Sequence, residues 1–482
     1  MSAEVMDTAA LPGNVAGPLP ACRIDPVGRE HVDLRSVLAL AVPLMVSNAT
    51  QMALNLTDVW FVGHISTMAL AAVGAVQLLV IVVMCVLGGV VVPVQTVVAQ
   101  SEGSRRHWRA SQAAWSALWA TLFIAPVFAL IAFSGHFILA PFGLEKWIED
   151  IACQFWVPRI VGALLGVAVW GLLSFFSGIA RPGITLLISI VTAIVNIVFN
   201  ALFIFSLHWG IAGSGWATAV SEALGVLLGV AVLLSGEFRD CYRSHLTWRP
   251  RWSRLWQLVR LGLPMGLLPA AGFLGLWLFQ TMQVRLGAVS GAAAQIVLML
   301  TSICFLPGIG LASAGTTLVG EAIGAKDSRW AMRVGTRVIL LTMVYMGGTG
   351  LLLALAGPWL LPLFTTASDP DSAATATLAV RLLWLAAAYQ LFDGLNQGSI
   401  SCLRGAGDAT VPTVLVLPVS WFIFVPLAHS LTFSPGQGWV NFLPQLGWGA
   451  TGGWLAVVIY MVLMGITLFL RWRSAAWQSI RI

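Results

Sequence analysis

Asn48, Gln51, Asn55 and Asp58 are spaced three, four and three residues apart inside the first long apolar run of the chain. On an α-helix that spacing stacks all four side chains on one face. The other faces carry Met45, Val46, Met52, Ala53, Leu54, Leu56 and Val59. A helix greasy enough for lipid therefore carries one polar stripe that ends in a carboxylate. Such a carboxylate costs about 3 kcal/mol or more in hydrocarbon, so it is retained for a reason. The chemistry on offer is holding a proton, a metal cation or an organic cation. The bland alternative is a polar seam that glues helices together. Pro43 lies fifteen residues before Asp58, removes one backbone donor and is expected to bend the helix.

The elements that position this stripe are set by composition. The chain has 482 residues, of which 59% are hydrophobic and only 9% charged. A soluble domain carries about 25% charged residues. The fold class is therefore an all-α polytopic membrane protein, with no soluble stretch large enough to form its own domain. The formal charge of +6 resides in loops between apolar segments and does not argue for a nucleic-acid partner. Cys22, Cys85, Cys153, Cys241, Cys304 and Cys402 are scattered singly, which gives neither a disulfide framework nor a metal site. The first 30 residues mix Pro, Gly and charges of both signs, as in a disordered tail rather than a signal peptide.

A span needs about 20 apolar residues. Twelve stretches qualify, near 36–61, 68–100, 109–134, 155–180, 184–206, 211–235, 257–284, 290–322, 330–356, 374–403, 410–432 and 447–470. With the amino terminus placed in the cytoplasm, 21 of the 25 Lys and Arg fall inside; Lys146, Arg159, Arg285 and Arg381 fall outside. The positive-inside rule thus puts both termini in the cytoplasm of a cell inner membrane.

The chain also repeats. Leu40-Ala-Val-Pro43-Leu-Met returns as Leu261-Gly-Leu-Pro264-Met-Gly, and Gln100-Ser-Glu-Gly103 as Glu321-Ala-Ile-Gly324, each 221 residues later. Ser177 to Gly183 is echoed by Arg404 to Thr410, and Gly213-Ser-Gly-Trp216 by Gly452-Gly-Trp454. Each half then holds six spans, and an even number makes the two halves parallel repeats about an axis along the membrane normal. The expected organisation is a disordered cytoplasmic tail over 1–35, an N-lobe over 36–236 and a cytoplasmic linker over 237–256. A C-lobe over 257–473 and a cytoplasmic end over 474–482 complete it. Two such lobes enclose a cleft, and rocking them gives alternating access.

Pro43 with Asp58-Val-Trp-Phe-Val-Gly63 and Ala69-Leu-Ala-Ala-Val-Gly74 resembles the first helices of the multidrug and toxic compound extrusion (MATE) family. Leu263-Pro264, Val319-Gly-Glu321-Ala-Ile-Gly324-Ala and Phe392-Asp393-Gly-Leu followed by Leu403-Arg404-Gly405 extend the similarity across residues 36–470. The resemblance implies a secondary antiporter that exports amphiphilic, often cationic, small molecules in exchange for H⁺ or Na⁺. It also implies an ion site in the N-lobe: Asp58 on the first helix, Asn196 and Asn200 on the fifth and Thr218 on the sixth. Asn200 stands where the family has an Asp. Asn196 and Asn200 share a helix face, and Asp58, Asn200 and Thr218 fall at similar depth in the outer half of the bilayer. In the C-lobe the resemblance pairs a Glu on the seventh helix with Asp393 on the tenth. Gly272 occupies the Glu position, so that cation site is incomplete. Asp393 shares its face with Gln390, Asn396 and Gln397.

Glu222 lies one turn after Thr218 on the sixth span and is expected to face the lobe interior, where it is a stand-in for the carboxylate missing at Asn200. Its bland reading is a buried Glu hydrogen-bonded to Thr218 or a backbone carbonyl. Glu102 and Glu321 end their spans beside basic loops and are expected to be solvated there. Pairs such as Gly162/Gly166 and Gly225/Gly229 are expected to let helices approach closely. Gly447-Trp-Gly449-Ala-Thr-Gly452 fits a dinucleotide fingerprint by letters, but it opens a membrane helix with no strand before it.

The expected ion-coupling set is Asp58, Asn196, Asn200, Thr218 and Glu222. The expected substrate set is Asp393, Gln51, Asn55, Gln390 and Asn396, with Pro43 as the conformational residue. H⁺ is favoured over Na⁺, because Asp58 is ringed by neutral groups; Na⁺ at Asp58 is the alternative. No cofactor, no catalysis and no nucleic acid are expected, and the unit is expected to be a monomer in the lipid bilayer. The alternative function is a lipid-linked precursor flippase, which needs a strongly basic central cavity. Less favoured is a membrane-embedded enzyme, which needs convergent catalytic groups near an interface.

Overall fold

The computed structural model describes residues 19–25, 30–140, 146–361 and 371–480. Among them, twelve helices are long and apolar enough to cross a membrane. The first half runs α1 (Leu34–Gly63), α2 (Thr67–Gly88), α3 (Pro93–Gly103), α4 (His107–Phe133), a short α5 (Gly135–Leu139), α6 (Lys146–Gly178), α7 (Pro182–Asn200) and α8 (Gly210–Leu233). A short α9 (Gly236–Cys241) opens the connection to the second half. That half holds α10 (Trp252–Arg285), α11 (Ala288–Gly324), α12 (Ser328–Leu360), α13 (Ser372–Ala406), α14 (Thr410–Val419), α15 (Val425–Thr432) and α16 (Gly449–Arg473). The protein is thus an all-α, multi-pass membrane protein of two six-helix lobes.

Three spans are not plain α-helices. The second is α2 and α3 joined by a 3-10 turn at Gly89–Val91. Two glycines and Pro93 weaken the helix there, and a Cβ on Gly89 would lie 2.5 Å from the Gly266 Cα of α10. The fifth span continues from α7 into a π-helical segment, Ala201–Ser206, and the eleventh joins α14 to α15 through another, Ser420–Phe424. The two π segments occupy matching places in the two lobes.

The lobes meet closely at one end, the end that carries the basic turns. Gln95 Nε2 donates to the Ser313 carbonyl at 3.1 Å and to Thr317 Oγ1 at 3.0 Å. Thr96 Oγ1 donates to the Arg404 carbonyl at 2.9 Å, and Gln100 Nε2 to that of Gly405 at 3.0 Å. Backbones touch here: a Cβ on Gly310 would come within 2.6 Å of the Leu44 carbonyl, and one on Gly103 would collide with that of Glu321. The first half of α1 therefore belongs to the other lobe's core, where Val37, Leu40, Ala41 and Leu44 are buried with Leu268, Leu311 and Leu318. Pro43 lies inside α1 in this stretch. Within the N-lobe, Gly162 packs on Ala219, and Gly225 and Gly229 pack on Thr192 and Leu172, as the small-residue pairs led one to expect.

Two expectations change at this end. Glu102 is not simply solvated: it pairs with His107 at 3.0 Å and accepts from Tyr242 Oη at 3.3 Å. Burial, then the Glu102 charge, push the Tyr242 phenol well above its usual range, so it stays a donor. Glu321 lies part-buried in the lobe seam against Gly103. The expected disordered tail is partly ordered. Strands β1 (Cys22–Ile24) and β2 (Glu30–Val32) pair antiparallel, with Cys22 opposite Val32. Leu19, Ala21, Cys22 and Val32 find apolar cover against the C-lobe, and Trp330 Nε1 donates to the Pro20 carbonyl at 2.9 Å. Residues 1–18 and 26–29 of that tail lie outside the described residues.

Candidate functional site

Asp58 is where three helices converge. Asn196 and Asn200 stand four apart on α7 and Ser214 and Thr218 four apart on α8, so each helix turns one polar face toward α1. Asn200 Nδ2 donates to Asp58 Oδ1 at 2.8 Å, and Thr218 Oγ1 lies 3.3 Å from Asp58 Oδ2. Asn200 Nδ2 also lies 3.0 Å from Asn196 Oδ1, and Asn196 Nδ2 donates to Thr218 Oγ1 at 3.3 Å. Asn196 and Asn200 are fully buried, whereas Asp58 is only part-buried. Four of the residues expected at an ion site are thus one network, and Asn200 occupies the step from α-helix into the π segment. Such steps recur at functional sites.

On its open side Asp58 faces a cavity of about 290 Å³ between the lobes, at the end away from the seam. Asn55, Gln77 and Ser214 line it from the N-lobe, and Met299 and Ser302 of α11 from the C-lobe. Arg159 lines it as well. Sequence reasoning counted this residue with the outer-side charges, near the start of the span over 155–180. It sits well inside α6, 9% exposed, with its Nε buried and unpartnered. Its signal in the sequence is a lone cation in Phe155-Trp-Val-Pro-Arg-Ile-Val161, an apolar setting no exposed loop requires.

The remaining expected residues divide. Asn55 opens on the main cavity. Gln51 and Glu222 line a second, much smaller one of about 20 Å³ with Thr50, Ser189 and Thr192. Glu222 makes no hydrogen bond to Asp58, Asn200 or Thr218; the Thr218 carbonyl takes Ser221 Oγ at 2.9 Å instead. Glu222 therefore stands one cavity away from the network it was expected to complete.

Asp393 is 3% exposed within α13 and does not line the main cavity. Its hydrogen bonds come from its own helix, Asn396 Nδ2 at 3.4 Å and Gln397 Nε2 at 3.3 Å. Gln390 is fully buried, donating to the Thr301 carbonyl of α11 at 3.0 Å, and Asn396 is 9% exposed. Of the five residues expected at the substrate site, only Asn55 lines the main cavity. Gly394 and Gly398 let α12 close on α13, and Gln390 ties α13 to α11. Gly272, at the place of the absent Glu, faces open space.

Comparisons with known proteins agree with this architecture. The sequence matches the MatE family over residues 43–202 and 273–429. It is 31% identical over 463 residues to a probable multidrug resistance protein NorM of Pseudomonas aeruginosa, covering 92% of this chain and 90% of that one. A probable NorM of Mesorhizobium japonicum is 29% identical over 457 residues, covering 91% and 93%. Among solved structures, a MATE crystal structure in complex with MaL6 superposes with a TM-score of 0.80 at 20% identity, covering 91% of this chain and 95% of that chain. A match that takes in both lobes, relatives alike from end to end and a shared two-lobe fold lead to one conclusion: the chain belongs to the MatE family.

Proposed function

We propose that the protein is a secondary antiporter that exports amphiphilic small molecules and is driven by a coupling cation taken up at Asp58, with H⁺ the favoured ion. The observation that carries this reading is the position of Asp58. It is held by donors from two other helices and opens on an interlobe cavity, while the lobes are shut at the far end. The relatives' names, which speak of multidrug resistance, support the substrate class.

The groups within hydrogen-bond reach of Asp58 are an amide N–H and a hydroxyl, and the Arg159 charge acts on it through space. Na⁺ needs several oxygens turned toward it, whereas a proton needs only the carboxylate. Protonation removes a charge from the junction of α1, α7 and α8. The same α1 continues past Pro43 into the core of the other lobe, so its register is felt at the seam. Two lobe arrangements then hold the proton with different affinity, which is the requirement for coupling. The basic seam end lies in the cytoplasm by the positive-inside rule, with both termini there, and the cavity faces outward across the inner membrane. A flippase of lipid-linked precursors would need a strongly basic cavity; this one carries one cation and one carboxylate.

The test is export from proteoliposomes at fixed pH with and without a Na⁺ gradient, and in Na⁺-free buffer with a pH gradient. The pH gradient alone is expected to drive export. Full activity from Na⁺ alone, with none from the pH gradient, overturns the proton assignment.

A further inference from the structure

Arg159 is the one charged residue lining the cavity that the coupling network does not use. Arg159 as a whole is 9% exposed, its buried Nε has no hydrogen-bond partner, and no carboxylate among the described residues forms an ion pair with it. Asp58 and Glu222 both feel its charge, yet neither closes to ion-pair distance. A largely buried guanidinium without an ionic partner is costly, and an anion in the cavity would relieve that cost. Arg presents a planar fork that matches a carboxylate with two parallel hydrogen bonds.

The setting supplies a place for that anion. The cavity has Arg159 on α6 and Asp58 on α1, with apolar walls from Phe155, Val59 and Met299 between and beside them. Its volume, about 290 Å³, is at the small end of the range for ligand pockets. A positive and a negative group held apart across an apolar space complement a molecule that carries both charges on an apolar body.

We propose that Arg159 is the anion-binding half of the substrate site. The preferred substrates are zwitterionic amphiphiles whose carboxylate pairs with Arg159 while their cationic nitrogen lies at Asp58. The inference rests on the antiporter reading for the direction of transport, but the binding step stands without it. A cationic pole at Asp58 competes with the coupling proton for the same carboxylate. The carboxylate pole adds grip without entering that competition.

The test uses a matched pair of dyes, a rhodamine free acid and its methyl ester. Both carry the same delocalised cation, and only the free acid carries a carboxylate. Binding to purified full-length protein is read by fluorescence anisotropy for the wild type, Arg159→Gln and Arg159→Lys, with thermal unfolding as the check on folding. The wild type is expected to bind the free acid roughly tenfold tighter than the ester, the scale of one charge-assisted pair. In Arg159→Gln the ratio of the two affinities collapses toward equality, and in Arg159→Lys part of it returns. Equal affinities in the wild type, no binding of either dye, or an unchanged ratio in Arg159→Gln each overturn the proposal. Export of both dyes under a pH gradient is measured beside this. Discriminating binding without export by the wild type would count against the antiporter reading and leave the anion site standing.

Discussion

The two lobes share a plan and a duplicated sequence, yet their intramembrane aspartates are held in opposite ways. In the N-lobe, Asp58 of α1 takes its hydrogen bonds from α7 and α8. In the C-lobe, Asp393 takes its own from residues three and four positions further along the same helix. The π segments make the same contrast. Asn200 at the entrance of the first reaches across to Asp58, whereas Ser420 at the entrance of the second pairs with Tyr460 Oη at 2.6 Å and touches no carboxylate. A carboxylate bound between helices changes their mutual packing when its charge changes. One bound within a single helix does not. Of the two aspartates, only Asp58 opens on the interlobe cavity, and in the proposed antiporter it is the one placed to convert a proton into helix movement.

The most severe break of this asymmetry is Asp58→Asn. It keeps size and hydrogen bonding but removes the titratable group, and gradient-driven export is expected to fall to background with normal insertion. Near-normal gradient-driven export by this variant would remove the N-lobe site from the mechanism. Next is Asn200→Ala, which deletes the 2.8 Å bond to Asp58 and leaves Asn196 without its neighbour. Export is expected to drop roughly tenfold, in line with about 1.4 kcal/mol lost from a hydrogen bond to a charged group. A loss no larger than that of a lipid-facing control, Ile194→Ala, would show that the interhelical bonds are incidental.

Glu222→Gln is expected to cost about twofold to fivefold, the scale of a through-space term near 1 kcal/mol. Because Glu222 lines the separate small cavity, adding Asn200→Asp should not restore what is lost. Rescue in the double variant would place both acids in one functional set and redraw the N-lobe site. The smallest effect belongs to Asp393→Asn, expected to stay within about twofold, since its local donors can still satisfy an amide. That loss should be the same for cationic and neutral substrates. A rise in the Michaelis constant confined to cations would return Asp393 to the substrate path and erase the contrast between lobes.

What the sequence determined by itself is what depends on composition and on position along one helix. Apolar runs of span length, basic loops and the 221-residue recurrence of Pro43 and Pro264 suffice for twelve spans and a duplication. The spacing of Asn196 and Asn200 places both on one face without reference to any neighbour. Tertiary structure decided everything that depends on how helices are rotated and how deeply they are set against each other. Gln51 and Asn55 share the α1 stripe, yet Gln51 meets α6, α7 and Glu222 of α8 in one cavity, while Asn55 opens with Ser214 of α8 and Met299 of α11 on the other. Asp393 has the same helical periodicity whether it faces a cleft or a lobe interior; the glycines that let α12 close on α13 choose the interior. Arg159 lies near the start of a span and counts as an outer-side charge by position. Only the packing of α6 on α8 through Gly162 shows that its side chain reaches the cavity beside Asp58. A helix face is a property of the sequence, but the partner it meets is a property of the packed bundle.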